Sequence, residues 1–271
     1  MRASSLRKNC AVLIWVVAII LIWETAAYTL SAVFQDPMAI KKLPYLHQVI
    51  GHLIENYQSI FGATFVTFSR AAQGFAIGVV IGVAIAIIMS FHTLLEKMIL
   101  PYIIVLQMIP VLALAPIVYS IVKNQDASRV VMAAFISFFP VAVNMHAGLR
   151  SVDTEKKELL YLYAANHFTV YWKLMIPYAR TYLFTGLKLA APSAITAAIL
   201  VEMMGSDSGI GCKILSSLYY GNSGALNFWA SVLAAALMGI LSYYFMVLLE
   251  KLTTPGFFAW LRKGGRHHDE K

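Results

Sequence analysis

Four ionisable side chains lie within or beside otherwise apolar runs: Glu24, Arg70, Lys188 and Glu202. A charge in hydrocarbon is costly, so each is a candidate for functional contact. Each also has an ordinary use. Arg70 and Lys188 can snorkel to an interface, and Glu24 can cap or pair between helices. Glu202, just before GSDSGIG, stands where an external protein, a solute or a neighbouring helix could reach it. Uncharged candidates for lining a polar path are Gln107 before Pro110, Asn144 after Pro140, and Ser193 and Thr196 after Pro192. Carbonyls freed by a proline also seek partners there, and bonding between helices would use the same groups.

Other chemistries find no footing. The chain carries no G-x4-G-K-[ST] loop, so it is not expected to bind or hydrolyse ATP. Cys10 and Cys212 form no metal or redox pattern. His267, His268, Asp269 and Glu270 read as a solvated tail, because a metal needs convergent ligands on a fixed scaffold. No paired carboxylates or histidines converge on a catalytic set, and the chain is not expected to be an enzyme.

The elements that must position these groups are apolar. Of 271 residues, 60% are hydrophobic and 13% charged, and the mean hydropathy is +0.72, which points to a protein whose solvent is largely lipid. Six runs are long enough to span: about Cys10 to Phe34, Gly62 to Met89, Met98 to Val122, Arg129 to Leu149, Thr181 to Met204 and Asn227 to Lys251. The first lacks a short core ending in a small-residue cleavage site and reads as a retained helix. The expected fold is an all-α polytopic membrane protein, one domain over 1–271 with a core at 62–251, an N-terminal helix at 10–34 and a cytoplasmic loop at 152–177. With both termini inside, fourteen basic residues fall on the cytoplasmic side and five outside, namely Lys41, Lys42, Lys123, Arg129 and Lys213. The formal charge of +8 is thus spread between spans, and fits orientation in a membrane better than nucleic-acid binding.

Gly74, Gly78 and Gly82 give the second span a small-residue face, suited to close packing within the chain or to a dimer seam. Pro101, Pro110 and Pro116 make the third span the first candidate for a broken helix lining a path. GSDSGIG reads as a turn before an amphipathic external helix, CKILSSLYY.

The loop between the fourth and fifth spans contains ELLYLYAANHFTVYWKLMIP, residues 158–177, too polar to cross and too apolar for a plain linker. Helical spacing puts Leu159, Leu160 and Tyr163 on one face and Glu158 and Tyr161 towards another. Ala165, Asn166 and His167 read as a break, and a second short helix from Phe168 to Met175 is expected to stop at Pro177. Tyr161, Phe168, Tyr171 and Trp172 could form an interfacial aromatic belt or a docking face.

The spacing Glu158, Ala164, Leu174, Ile176, Pro177 resembles the E-A-A-x3-G-x9-I-x-L-P motif of permease subunits of ATP-binding cassette importers. Glu158 and Pro177 match, Leu174 and Ile176 are conservative changes, and Leu159, Leu160 and Ala164 depart. PVLALAPI, FFPVAVNMHAGLRSVD, TGLKLA and VEMMGSDSGIG are similar to the nitrate, sulfonate and taurine branch, so the likeness runs from about Trp15 to Lys251. The resemblance implies a bacterial or archaeal cytoplasmic membrane. It implies a second permease subunit, expected as a homodimer, two ATPase subunits that hold ATP and Mg, and an extracytoplasmic solute-binding protein. No cofactor is expected on this chain itself. It further implies that Glu158, Leu159, Leu160, Ala164, Ala165, Asn166, Leu174, Ile176 and Pro177 receive the ATPase. The solute would be small, such as nitrate, a sulfonate or a pyrimidine precursor. A stand-alone transporter or channel is the alternative, and would call for internal repeats that the sequence does not display. Alanine at the motif's glycine position resists positive φ, so the bend is expected to shift to Asn166.

Overall fold

The computed structural model describes residues 2–222 and 224–253, with side chains from Ile14 onward; the histidine tail at His267 and His268 lies outside them. Every regular element among the described residues is helical. In chain order these are α1 (Arg2–Tyr28) with a π turn at Thr29–Val33, α2 (Ala39–Lys42), α3 (Leu46–Glu55), α4 (Tyr57–Phe91), α5 (Thr93–Gln107) and α6 (Val111–Val122). There follow α7 (Gln125–Arg150), α8 (Thr154–Leu162), α9 (His167–Val170) with a π turn at Tyr171–Met175, α10 (Ile176–Glu202), α11 (Ile210–Tyr219) and α12 (Ala225–Thr253).

Among the described residues, five stretches are long and apolar enough to cross a membrane: Ile14–Val33, Tyr57–Phe91, Gln125–Arg150, His167–Glu202 and Ala225–Thr253. The expected third span is not one helix. α5 and α6 meet at 98°, and together they make the sixth crossing if the pair is counted once. The break has a local cause at Pro110. The Met108 and Ile109 amides tighten onto Val105 and Leu106, three residues back, and Pro110, with no N–H to donate, turns extended at φ −64°, ψ 118°. Pro101 and Pro116 ride inside α5 and α6 without ending them.

The chain divides into two compact units. The first comprises Met1–Phe65 and Asp207–Ala235. Aromatic side chains tie it together through their polar tips: the Trp23 indole donates to the Pro44 carbonyl at 2.9 Å and meets Trp229 edge-on at 5.1 Å, and Trp229 donates to Lys41 at 3.3 Å. The Tyr45 and Ser31 hydroxyls lie 2.7 Å apart, and Lys213 donates to Ser59 at 2.6 Å. Glu24 faces His47 at 3.3 Å, the pairing between helices that its position allowed. On the connection after the first span, the Lys42 ammonium bonded to Asp36 holds that carboxyl below the usual range. GSDSGIG forms its turn with Gly205 at φ +115° and Gly209 at φ +104°, and α11 starts at Ile210, two residues ahead of the expected CKILSSLYY.

The second unit comprises Val66–Ser206 and Ala236–Lys271. Its centre is α7, whose buried stripe runs Arg129, Met132, Ala133, then Ala142, Met145 and Leu149 at helical spacing. Phe139 and Ala142 pack with Met89 and Ile103; Met145 and Leu149 pack with Ala86 and Ala179; Met132 packs with Ala115, Ala197 and Val201. The glycine face of α4 lies on α7. A Cβ on Gly78 would sit 2.6 Å from the Ala134 carbonyl oxygen, and one on Gly82 2.7 Å from that of Phe138, so the backbones approach as closely as only glycine allows. Packing inside the chain thus accounts for the face. Gly78→Ala is expected to destabilise the folded protein by about 1–3 kcal/mol through overpacking against backbone that cannot yield. A thermal melt in detergent checks this, since an unchanged midpoint would mean the helices can part freely.

Candidate functional site

α8 is a helix without a core of its own, since none of its nine residues is buried. Its end is built by backbone bonds. The Ala165 amide donates to Leu160 at 3.0 Å and the Ala164 amide to Tyr161 at 2.9 Å, the paired closure of a Schellman turn. That turn demands one left-handed residue, and it is Ala164, at φ +57°. The expectation that Asn166 would take the bend is wrong. Asn166 is extended at φ −74°, ψ 163°, and its Oδ1 accepts from the Thr169 amide at 2.8 Å, capping the next helix. The two closing bonds specify where the left-handed residue falls, and an alanine Cβ there costs about 1–2 kcal/mol. Ala164→Gly removes that cost but frees the unfolded chain, for a net gain of about 0.5–1 kcal/mol. Hydrogen exchange at the Ala164 and Ala165 amides is expected to slow accordingly; faster exchange would show that the turn is not strained.

The second short helix is also corrected. Pro177 does not stop it: α9, the π turn and α10 run on as one span from His167 to Glu202, in place of one starting at Thr181. The Ile176 amide reaches back to Tyr171 in π register, and the widened turn gives the proline ring room beside the carbonyl four residues before it. Pro177 then sits in the first turn of α10, where a missing N–H is tolerated.

This geometry sorts the segment's side chains. Glu158, Leu159, Tyr161, Leu162, Tyr163, Ala164, Asn166, Phe168 and Trp172 are exposed, with Leu162 at 84% and Tyr163 at 78%. Leu160, Ala165, Leu174 and Ile176 are half-buried, and Ile176 packs on the cluster of Ala86, Met145, Leu149 and Ala179. Tyr171 turns inward, its hydroxyl 2.8 Å from that of Ser90 and its ring against Phe91. What remains outward is a knob of leucine and aromatic side chains around a sharp bend, flanked by Glu158. At its start Lys156 bonds Asp153 at 2.6 Å, and that carboxylate pushes the lysine pKa up.

The ionisable groups expected inside the spans have partners. Glu202 is fully buried. Both of its oxygens accept from the Thr67 hydroxyl, at 2.8 and 2.9 Å, and the Arg129 Nε lies 3.6 Å away. Arg129, counted from sequence among the external charges at the start of the fourth span, is also fully buried and donates to Asp126 at 3.0 Å; Arg70 donates to the same carboxylate at 2.8 Å. Lys188 pairs with Glu250 at 2.6 Å. A further cluster had no expectation attached: Glu96 lies 3.1 Å from the buried His146 Nε2 and is bonded by Arg150. Arg129 could have been found from its place on one stripe with Met132 and Ala133.

The uncharged candidates mostly bond back along their own helices, Asn144 to Pro140 at 2.8 Å, Ser193 to Leu189 at 2.8 Å and Thr196 to Pro192 at 3.2 Å. Gln107 and Thr196 are exposed, while Asn144 and Ser193 are half-buried.

A family model described as the binding-protein-dependent transport system inner membrane component matches residues 78–256. The formylaminopyrimidine transport permease protein ThiX of Halalkalibacterium halodurans is 26% identical over 251 residues, covering 90% of this chain and 93% of that protein. The putative aliphatic sulfonates transport permease protein SsuC of Bacillus subtilis is 28% identical, covering 71% and 69%. Among solved structures, one titled as an amino acid ABC transporter with histidines has the same fold at a TM-score of 0.58 and 19% identity, covering 74% of this chain and 96% of that one.

Proposed function

Since the chain belongs to the family of binding-protein-dependent transport system inner membrane components, a permease of an ATP-binding cassette importer, we propose that its knob at Leu159–Phe168 is where the partner ATPase docks. Such an importer couples a permease to an ATPase and a solute-binding protein. In this reading two copies of the chain enclose the path, two ATPase subunits hold ATP and Mg on the cytoplasmic side, and both termini lie on that side too. The solute is small and of the kind named for the relatives: formylaminopyrimidine, aliphatic sulfonate, nitrate or bicarbonate. Selectivity then resides mainly in the binding protein, since the candidate path residues of this chain offer no ring of cations.

The observation that carries the docking site is α8 itself, a helix with no buried residue that presents large apolar side chains between two spans. Exposed apolar groups of that size mark an interaction surface. The test is purification of the tagged permease with its ATPase and binding protein, followed by uptake into liposomes. ATP-dependent uptake that needs all three is expected. Uptake by the permease alone would replace this reading with a stand-alone transporter.

A further inference from the structure

A helix that must pass on a push needs a rigid attachment, and α8 has no core to supply one. Two side-chain contacts run from it to the span that begins at His167. At its C-terminal end the Tyr161 hydroxyl lies 2.7 Å from His167 Nδ1, with the rings 5.2 Å apart, closing the chain across the Ala164 turn. At its N-terminal end the Lys156 ammonium sits 5.1 Å from the centre of the Tyr178 ring on α10, a cation–π contact, while Asp153 bonds the same ammonium at 2.6 Å. Lys156 and Tyr161 are about 7.5 Å apart along the helix axis. One contact would leave α8 free to swivel about it, whereas two separated contacts set a direction.

We infer that Tyr161–His167 and Lys156–Tyr178 are two positioning pairs that clamp α8 to the fifth span, so that α8 and α10 move as one piece. The inference rests on the reading of α8 as the site where the ATPase docks. Backbone alone does not provide the clamp, because four residues, Tyr163 to Asn166, join the two helices with the left-handed Ala164 among them, and a small change in their dihedrals would swing α8 widely. The side chains remove that freedom at no cost in burial, and they leave Leu162 and Tyr163 facing outward.

The test uses the full-length permease with its ATPase in nanodiscs of phosphatidylethanolamine and phosphatidylglycerol. Cys10 and Cys212 are changed to serine, and spin labels are placed through Glu155→Cys on α8 and Leu189→Cys on α10 for electron–electron distance measurement. One narrow distance, unchanged by MgATP, is expected. Tyr161→Phe and Lys156→Gln are each expected to lose that single distance, and His167→Asn, which keeps an amide where Nδ1 stood, to retain it. Tyr161→Phe placed on His167→Ala should add nothing, because the pair acts as a unit. Unaltered distributions in Tyr161→Phe and Lys156→Gln, or additive broadening in the double variant, would overturn the clamp. Co-purification separates the two readings. If the ATPase is retained and the distances do not respond, the clamp alone falls; if the wild-type permease retains no ATPase, the docking assignment falls, and distances on the permease alone still decide the clamp.

Discussion

Arg129→Ala is expected to leave almost no folded permease after detergent extraction at temperatures where the wild type remains monodisperse. Arg129 and Glu202 are both fully buried, and Thr67 on α4, Arg129 on α7 and Glu202 at the end of α10 form one polar knot joining three helices. A buried ion pair contributes little net stability, because desolvating two charges offsets their attraction. Removing one member is different: the remaining carboxylate loses the guanidinium beside it, at a cost of about 3–5 kcal/mol. That is a large share of a folding free energy of about 5–15 kcal/mol. The control is Arg129→Met with Glu202→Leu, which removes both charges and should recover most of the loss. Fluorescence-detected size exclusion after heating reads both. A single variant as stable as the wild type would show that the knot is not closed as its geometry implies.

Leu162→Asp and Ala165→Glu are expected to act in the opposite way, sparing the permease and losing its engine. Leu162 is 84% exposed on a helix with no buried residue, and Ala165 lies half-buried in the turn after it, so the amount of permease in the membrane and its melting should change little. A charge buried without a partner at a packed interface carries a large penalty, and central apolar contacts carry most of the affinity. The ATPase retained on co-purification should therefore fall by more than about tenfold, which corresponds to about 1.4 kcal/mol. Glu158→Lys, reversing the charge beside the knob, should retain more ATPase than either but uncouple hydrolysis from uptake. Full retention and normal uptake in all three would remove the docking assignment.

The two sets of variants test features that differed in how plainly the sequence announced them. The knob was legible because it is local: its polarity, the spacing from Glu158 to Pro177 and its place between two apolar runs are properties of neighbouring residues. The break in the third span was legible in kind, though which of three prolines made it was not. Pro110 breaks the helix while Pro101 and Pro116 do not, and Pro177, expected to end a helix, begins one. A proline's effect depends on whether the turn before it can widen or tighten, and that is decided by what the neighbouring side chains pack against.

Hydropathy is additive along the chain, so the sequence by itself determined that this is a polytopic helical membrane protein, roughly where its spans lie, and that a segment too polar to cross interrupts them. Burial and backbone dihedrals depend on partners distant in sequence, so only the tertiary structure decided the rest. It turned Arg129 from a charge counted on the external side into the buried partner of Glu202. It laid the glycine face of α4 on α7. It made Ala164, and not Asn166, carry the left-handed bend, because two carbonyls at Leu160 and Tyr161 demanded donors from that turn.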